Sequence, residues 1–361
     1  TILEALDVKI LGREGEVLTV AVPPYRVDVQ READLIEDVL RVYGYNNIEI
    51  SDHVNSTLSY APKPDKARLQ NVASDFLTSN GYTEIMSNSL TKASYYEGST
   101  SYPAERCVKI MNPLSQDLNV MRQTLLFNAL EAVELNVNRR NGNLKMYEVG
   151  NCYAFAAEKA SEENTLAKYV ENNRIGITVT GLKTQLSWNS KEETASFFTL
   201  RAIVERLLKR FGVDIYALQS ESLECDLYGD AIVFKQGPNE VVRMGVVSPM
   251  IRKKFDIKQE VYFAEVDFDQ LIKMTKKAKV QFKELSKFPE VKRDLALLVN
   301  KSVTFSQLRS IAFATEKKLL KSVSLFDVYE GDKLPEGKKS YALGFTLEDK
   351  SQTLTDKQIE R

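Results

Sequence analysis

The chain has 361 residues, 43% of them hydrophobic, and a formal net charge of −1. That length asks for two or three domains rather than one core, and the near-zero charge argues against a general polyanion binder. No run of about 18 apolar residues is present, which excludes a transmembrane helix; three scattered cysteines (Cys107, Cys152, Cys225) and a single histidine, His53, support no disulfide framework or zinc site and fit reduced thiols in a cytoplasmic protein.

In chain order, "TILEAL" (1–6) reads as the tail of a helix without a cap, as if cut from something longer. "VKIL" and "VLTVAV" are strand-like runs joined through "GREG", a hairpin. An amphipathic helix follows within "RVDVQREADLIEDVLRVYGYNNI" (26–48), where Leu35, Val39 and Val42 share one face and Gly44 suits the position just past the end. It is crowded with acid. Asp34, Glu37 and Asp38 emerge one turn apart on a neighbouring face, with Asp28 just ahead of them. Residues 1–50 form a small α+β module, and "SDHVNSTLSYAPKPD" is a linker.

Asp65 caps the next helix, with Leu69, Val72, Phe76 and Leu77 inward and Asn80-Gly81 at its end. Apolar stripes predict two further helices, Thr124–Arg140, closed by Asn141-Gly142, and residues 197–211. The strand-like runs "LKMYEVG", "RIGITVTG", "AIVFKQG", "VVRMGVVS" and "VYFAEVDF" do not alternate one for one with helices. The fold class is therefore α+β with an antiparallel sheet rather than a doubly wound one. The last stretch reads β-α-β-β-α: a buried strand "DLALLV", a helix opened by the capping box Thr304–Gln307, the strands "VSLFDVYEG" and "KSYALGFTLED", and a second capping box at Thr355–Gln358. This is a ferredoxin-like order without its final strand.

Motifs of nucleotide chemistry are missing. There is no G-x-G-x-x-G, and "GDKLPEGKKS" (331–340) fails P-loop spacing and joins two strands. The acidic cluster reads either as a solvated helix face or as hard-oxygen ligands for Mg²⁺ or Ca²⁺. A basic run (Lys273, Lys276, Lys277, Lys279, Lys283, Lys287, Lys292, Arg293) is opposed only by Glu284 and Glu290. It is a solvated linker face unless the domain beside it supports nucleic-acid binding.

Three segments, in order, resemble one family. "VPPYRVDVQREADLIEDVLRVYGYNNI" resembles the B5 module of the bacterial-type phenylalanyl-tRNA synthetase beta subunit. "NPLSQDLNVMRQTLLFNALEAVELNVNRRNGNLKMYEVG" is similar to that subunit's catalytic-like domain, and "LSKFPEVKRDLALLVNKSVTFSQLRSI" to its ferredoxin-fold anticodon-binding domain. The resemblance implies a B5 module at 1–50, a class II synthetase-like domain without catalytic residues at 62–270, and an incomplete anticodon-binding domain at 284–361. It implies a portion of an (αβ)₂ enzyme that attaches phenylalanine to tRNA(Phe) with ATP and Mg²⁺, the active site lying in the alpha subunit. Ala154 stands roughly where a working class II site places an ATP-gripping arginine, and no third-motif arginine is found. The family's magnesium positions, shared with alpha, map onto Asp28, Asp34, Glu37 and Asp38. Lys287, Lys292, Arg293, Lys338, Lys339 and Lys350 are candidate phosphate contacts, with Tyr341 or Tyr329 stacking on a loop base or packed as core. The family's N-terminal tRNA-binding fold and editing module do not appear in this sequence. The rival readings are a stand-alone RNA-binding adaptor and a Mg²⁺-dependent hydrolase built on the acidic helix.

Overall fold

A computed structural model describes residues 1–60, 63–276, 281–282 and 284–359. Of the expected basic run, Lys277, Lys279 and Lys283 lie outside the described residues, as do the expected domain limits at Pro62 and Arg361. No helix among the described residues is long and apolar enough to cross a membrane. The chain divides into two compact units, Thr1–Arg68 and Leu69–Arg361.

The first unit comprises α1 (Ile2–Ala5), the antiparallel pair β1 (Lys9–Glu14) and β2 (Val17–Ala21), and α2 (Glu32–Tyr43). Two expectations change here. The opening helix is capped, because the Thr1 hydroxyl accepts the Glu4 N–H at 3.4 Å. The hairpin turns at Gly15-Glu16 rather than across "GREG", since Glu14 pairs with Val17 and Gly15 holds φ +61°. A two-residue loop needs that positive φ, while Gly12 sits at a bulge inside β1. The C-terminal stop of α2 is as expected, with Gly44 at φ +96° and its N–H donating to the Leu40 carbonyl.

The second unit begins within α3 (Lys66–Ser79), whose first turn is capped by Asp65, one oxygen accepting from Ala67 and Arg68 N–H groups. It continues through β3 (Thr83–Glu84), β4 (Leu90–Thr91), β5 (Val120–Met121), α4 (Leu126–Asn138), β6 (Leu144–Phe155), β7 (Tyr169–Thr180), β8 (Leu182–Thr184), β9 (Glu193–Thr194) and α5 (Phe197–Arg210). Then come β10 (Gln219–Ser222), β11 (Tyr228–Gln236), β12 (Asn239–Val247), α6 (Pro249–Lys254), β13 (Val261–Asp267) and α7 (Phe268–Thr275). The main sheet runs β10-β11-β12-β13-β7-β6-β3, antiparallel except for the parallel edge pair β3–β6. At the end of α4, Arg140 rather than Gly142 takes the left-handed position, with φ +63°.

Helices cover the sheet on both faces. Leu77 of α3, Leu200 and Val204 of α5 and Phe268 of α7 pack against Ile175, Ile177 and Val179. Leu126, Leu130 and Val133 of α4 pack with Phe127, Tyr96 and Phe255 against Met146, Cys152 and Phe263 on the other side. Alternate residues of β7 thus serve two cores, and Ile175–Thr180 is buried at every position.

A separate three-stranded sheet, β14 (Val291–Asn300), β16 (Lys338–Leu347) and β15 (Leu320–Tyr329) in spatial order, carries α8 (Phe305–Thr315) and ends in α9 (Asp356–Ile359). The expected β-α-β-β-α order is present, and Thr304 and Gln307 form their capping box through hydrogen bonds of 2.9 and 3.3 Å. "GDKLPEG" (331–337) lies in the connection between β15 and β16, and the "KKS" that follows opens β16, so the stretch joins two strands as expected. The strand "DLALLV" is not buried, however. It lies in an edge strand, with Leu295 48% and Leu298 53% exposed.

Candidate functional site

The sheet face beneath α4 is lined by charge. Register places Glu148 of β6, Gly176 of β7, Glu265 of β13 and Arg243 of β12 in one transverse row. The next row joins Gly150 to Arg174, and the next Cys152 to Asn172. Arg122, in the segment leading into α4, lies over this face. Its Nη1 donates to Glu148 Oε1 at 2.7 Å and its Nε to the Asn151 carbonyl at 2.9 Å. Both partners of this ion pair are about 95% buried.

Gly150 belongs to the same device. A Cβ there would collide with the Arg122 guanidinium, so the glycine of "YEVG" makes room for the arginine of "VMR". Those two sequence fragments are one structural lock.

Glu265 organises the neighbouring cluster. Its Oε1 accepts from the Thr124 hydroxyl (2.8 Å) and the Leu125 N–H (2.9 Å), and its Oε2 from the Tyr102 hydroxyl and Arg174 Nη1, both at 2.9 Å. Arg243 donates to the Tyr102 oxygen at 3.2 Å and pairs with Glu240. Burial by itself would raise the Glu265 carboxyl, but the Arg174 and Arg243 guanidiniums, helped by the Leu125 and Thr124 donors, hold it below its ordinary value.

Three arginines, Arg122, Arg174 and Arg243, are thus opposed by Glu148, Glu265 and Glu240. This face spends its cations on its own acids, which leaves little to stabilise charge developing on a substrate. Nucleophiles are equally unsuited, because burial pushes the Cys152 thiol and the Tyr102 hydroxyl well above their ordinary values. Ala154 lies farther along β6 and offers only a methyl group.

In the first unit, the crowded acids of α2 are neutralised by a residue the spacing argument did not weigh. Arg26 Nη2 lies 2.6 Å from Asp38 and 3.7 Å from Asp28. Asp34 turns to the backbone, accepting the Gln30 and Arg31 N–H groups at 2.9 and 2.8 Å, which lower its carboxyl below the ordinary value. Glu37 is exposed, 3.9 Å from Arg41. The "RVD" just before the helix was the available signal for Arg26. Carboxylates without His or Cys are the right donors for Mg²⁺. Yet among the described residues no group of three or more His, Cys, Asp or Glu side chains is gathered to hold a metal ion.

The six cations considered for RNA contact divide. Lys287, Lys292, Arg293 and Lys350 are exposed, and Lys338 is half-buried. Lys339 is 8% exposed, its ammonium 4.6 Å from the centre of the Tyr341 ring. Tyr341 is itself buried at 8% exposure, which assigns it to the core and leaves Tyr329, 42% exposed, as the ring open to solvent. Lys338 pairs with Asn300 and Lys292 with Thr346, so these cations stand at opposite ends of the sheet, about 26 Å apart along a strand at 3.3 Å per residue.

Comparison with known proteins assigns all three segments. Residues 53–268 match the family model described as phenylalanyl tRNA synthetase beta chain CLM domain, residues 286–361 the ferredoxin-fold anticodon binding domain, and residues 1–45 the tRNA synthetase B5 domain. Along its whole length the chain is 49% identical to the phenylalanine–tRNA ligase beta subunit of Bacteroides fragilis and 45% identical to that of Porphyromonas gingivalis. It is 32% identical to the Bacillus subtilis protein of the same name over 97% of this chain and 42% of that one. The chain spans 44% of the length of the first two. A solved pyrrolysyl-tRNA synthetase structure from Desulfitobacterium hafniense superposes with a TM-score of 0.45 at 14% identity, over 59% of this chain and 69% of that one.

Proposed function

The chain belongs to the phenylalanine–tRNA ligase beta-subunit family, and on that premise we propose that it frames a reaction carried out elsewhere. In this reading it holds a catalytic alpha subunit in a cytoplasmic (αβ)₂ assembly and presents tRNA(Phe) for ATP-dependent attachment of phenylalanine. Its modules are the B5 unit at 1–50, the synthetase-like sheet domain at 62–270 and the anticodon-binding domain at 284–361. The observation that carries the proposal is the sheet face on which Arg122, Arg174 and Arg243 are each committed to a glutamate or to a tyrosine hydroxyl. The test is phenylalanine-dependent exchange of pyrophosphate into ATP. The purified chain gives none, while the complete beta subunit with alpha gives full exchange. Exchange by this chain alone would remove the reading.

The acids Asp28, Asp34, Glu37 and Asp38 take Mg²⁺ jointly with the alpha subunit. Arg26 holds Asp28 and Asp38 in the isolated chain, so a metal has to displace a guanidinium as well as shed water. Titration calorimetry should therefore show at least roughly tenfold tighter Mg²⁺ binding in the assembly than in the chain, the scale of a ligand set completed by a second partner. Equal affinity in both would refute the sharing.

Exposed Lys287, Lys292, Arg293 and Lys350 neutralise phosphates of the tRNA, with Lys338 and Tyr329 at the other end of the sheet. Lys292→Ala should reduce the slope of log K against log salt by about one, whereas Lys339→Ala, which removes a buried cation, leaves the slope unchanged. Filter binding of tRNA(Phe) between low and moderate salt separates the two; a slope untouched by Lys292→Ala would remove that contact.

A further inference from the structure

We propose that Arg309 clasps the anticodon-binding module to the sheet domain and so fixes the angle between them, a device of this chain that stands apart from the function proposed above. The connection between the two leaves large apolar side chains in solvent. Between the end of α7 at Thr275 and the start of β14 at Val291, Phe282 is 91% and Leu285 92% exposed. Side chains that bury so little area do not hold a domain in place. A fixed orientation therefore needs a contact elsewhere.

Such a contact joins α8 to the segment that follows α5. The Arg309 guanidinium carbon lies 3.3 Å from the centre of the Tyr216 ring and 4.5 Å from that of Phe313. Arg309 and Phe313 are one helical turn apart on α8, the spacing that puts both on one face, so the guanidinium is steadied on its own helix as it meets Tyr216. Tyr216 is held from below. It sits in a single 3₁₀ turn, Ile215–Ala217, where the Asp214 side chain accepts the Tyr216 N–H at 3.0 Å, and the flanking Val213 and Leu218 are each buried at 8% exposure. Tyr216 itself is 55% exposed, so it projects from the domain instead of filling its core. A planar, weakly hydrated guanidinium is attracted to the negative face of such a ring. One contact of this kind shifts an equilibrium between two arrangements by roughly five- to thirtyfold, which sets a preferred angle and leaves it reversible.

The experiment is double electron–electron resonance on the 361-residue chain, spin-labelled through Lys253→Cys in the sheet domain and Lys301→Cys in the anticodon-binding module, both exposed positions. The background carries Cys225→Ser, while Cys107 and Cys152 are buried and stay unlabelled. One narrow distance is expected. Tyr216→Leu keeps apolar bulk but removes the ring, and should lower the ratio of docked to undocked molecules roughly five- to thirtyfold, broadening the distribution. Arg309→Ala should do the same, and the two together no more than either alone. Tyr216→Phe, which keeps the aromatic face, should retain the parental distance. A parental distribution that is already broad, a narrow one unchanged by both Tyr216→Leu and Arg309→Ala, or a Tyr216→Phe variant as broad as Tyr216→Leu overturns the proposal. If circular dichroism shows that Tyr216→Leu does not fold, Arg309→Ala decides alone: a broadened distance supports the clasp and an unchanged one removes it. Neither tRNA nor an alpha subunit is present, so the outcome does not depend on the function proposed above.

Discussion

Arg122→Met should lower the stability of the sheet domain by about 3–5 kcal/mol, the range for removing one partner of a buried ion pair. The methionine fills most of the arginine's volume, so the loss is electrostatic rather than a cavity effect. Glu148 is left behind at 4% exposure, with the Ser87 N–H at 3.1 Å as its remaining donor and an Oε2 that already has no hydrogen-bond partner. The Asn151 carbonyl also loses the Arg122 Nε–H. Neutralising the stranded acid tests this account. Arg122→Met/Glu148→Gln keeps an acceptor for Ser87 and removes the charge, so it should recover more than half of the loss in urea unfolding.

Gly150 supplies an independent check on the same lock. Gly150→Ala should destabilise the native chain, because the added methyl meets the Arg122 guanidinium, and should do so far less once Arg122 is methionine. Residues in contact are non-additive in this way, by about 0.5–3 kcal/mol. Additive penalties, or an Arg122→Met variant with the parental midpoint, would show that the pair does not hold the domain together.

This lock also marks the limit of what sequence reasoning reaches. Local signals were reliable where one residue does one job: Gly44 ending α2, Asp65 opening α3, the Thr304 capping box. The family motifs "VMR" and "YEVG" were visible as strings, but nothing local joins Arg122 to Glu148 and Gly150, more than twenty residues on. Only the pleat of β6 and the path of the chain into α4 bring them together. Strand lengths were underestimated for a related reason. β6 and β7 run to Phe155 and begin at Tyr169 because the two strands pair along their whole lengths, a ladder that extends past the apolar runs. Tyr341 read equally as a stacking ring or as core, because a strand residue's burial depends on what covers its face, and only the fold shows it at 8% exposure. The acidic helix is a different case. Its spacing asked for a cation, and the structure supplies Arg26, whose position in the preceding loop no helical periodicity encodes.

Glu265→Gln should destabilise the chain at neutral pH by an amount comparable to Arg122→Met, about 3–5 kcal/mol. All four of its neighbours, the Thr124 and Tyr102 hydroxyls, the Leu125 N–H and Arg174 Nη1, point donors at the carboxylate. A glutamine side chain replaces one acceptor oxygen with an NH₂, so one obligate donor, the Leu125 N–H or Arg174 Nη1, faces another donor whichever way the amide turns, and the hydroxyl beside it has to turn round to accept. The loss of charge also leaves Arg174 and Arg243 without their shared anion. The pH dependence distinguishes this account from simple mispacking. The folded Glu265 carboxyl sits below its ordinary value of 4.5, so its contribution is complete above about pH 4.5 and disappears as pH falls through the lowered folded value. Other carboxylates titrate in the same range, and the informative quantity is therefore the difference between parent and variant. That difference should stay constant from pH 7 to about pH 5 and shrink on further acidification, as the parent protonates the group that the variant has already neutralised. A gap that remains undiminished after the parent carboxyl has protonated would mean that packing, and not the buried charge, is what Glu265 provides.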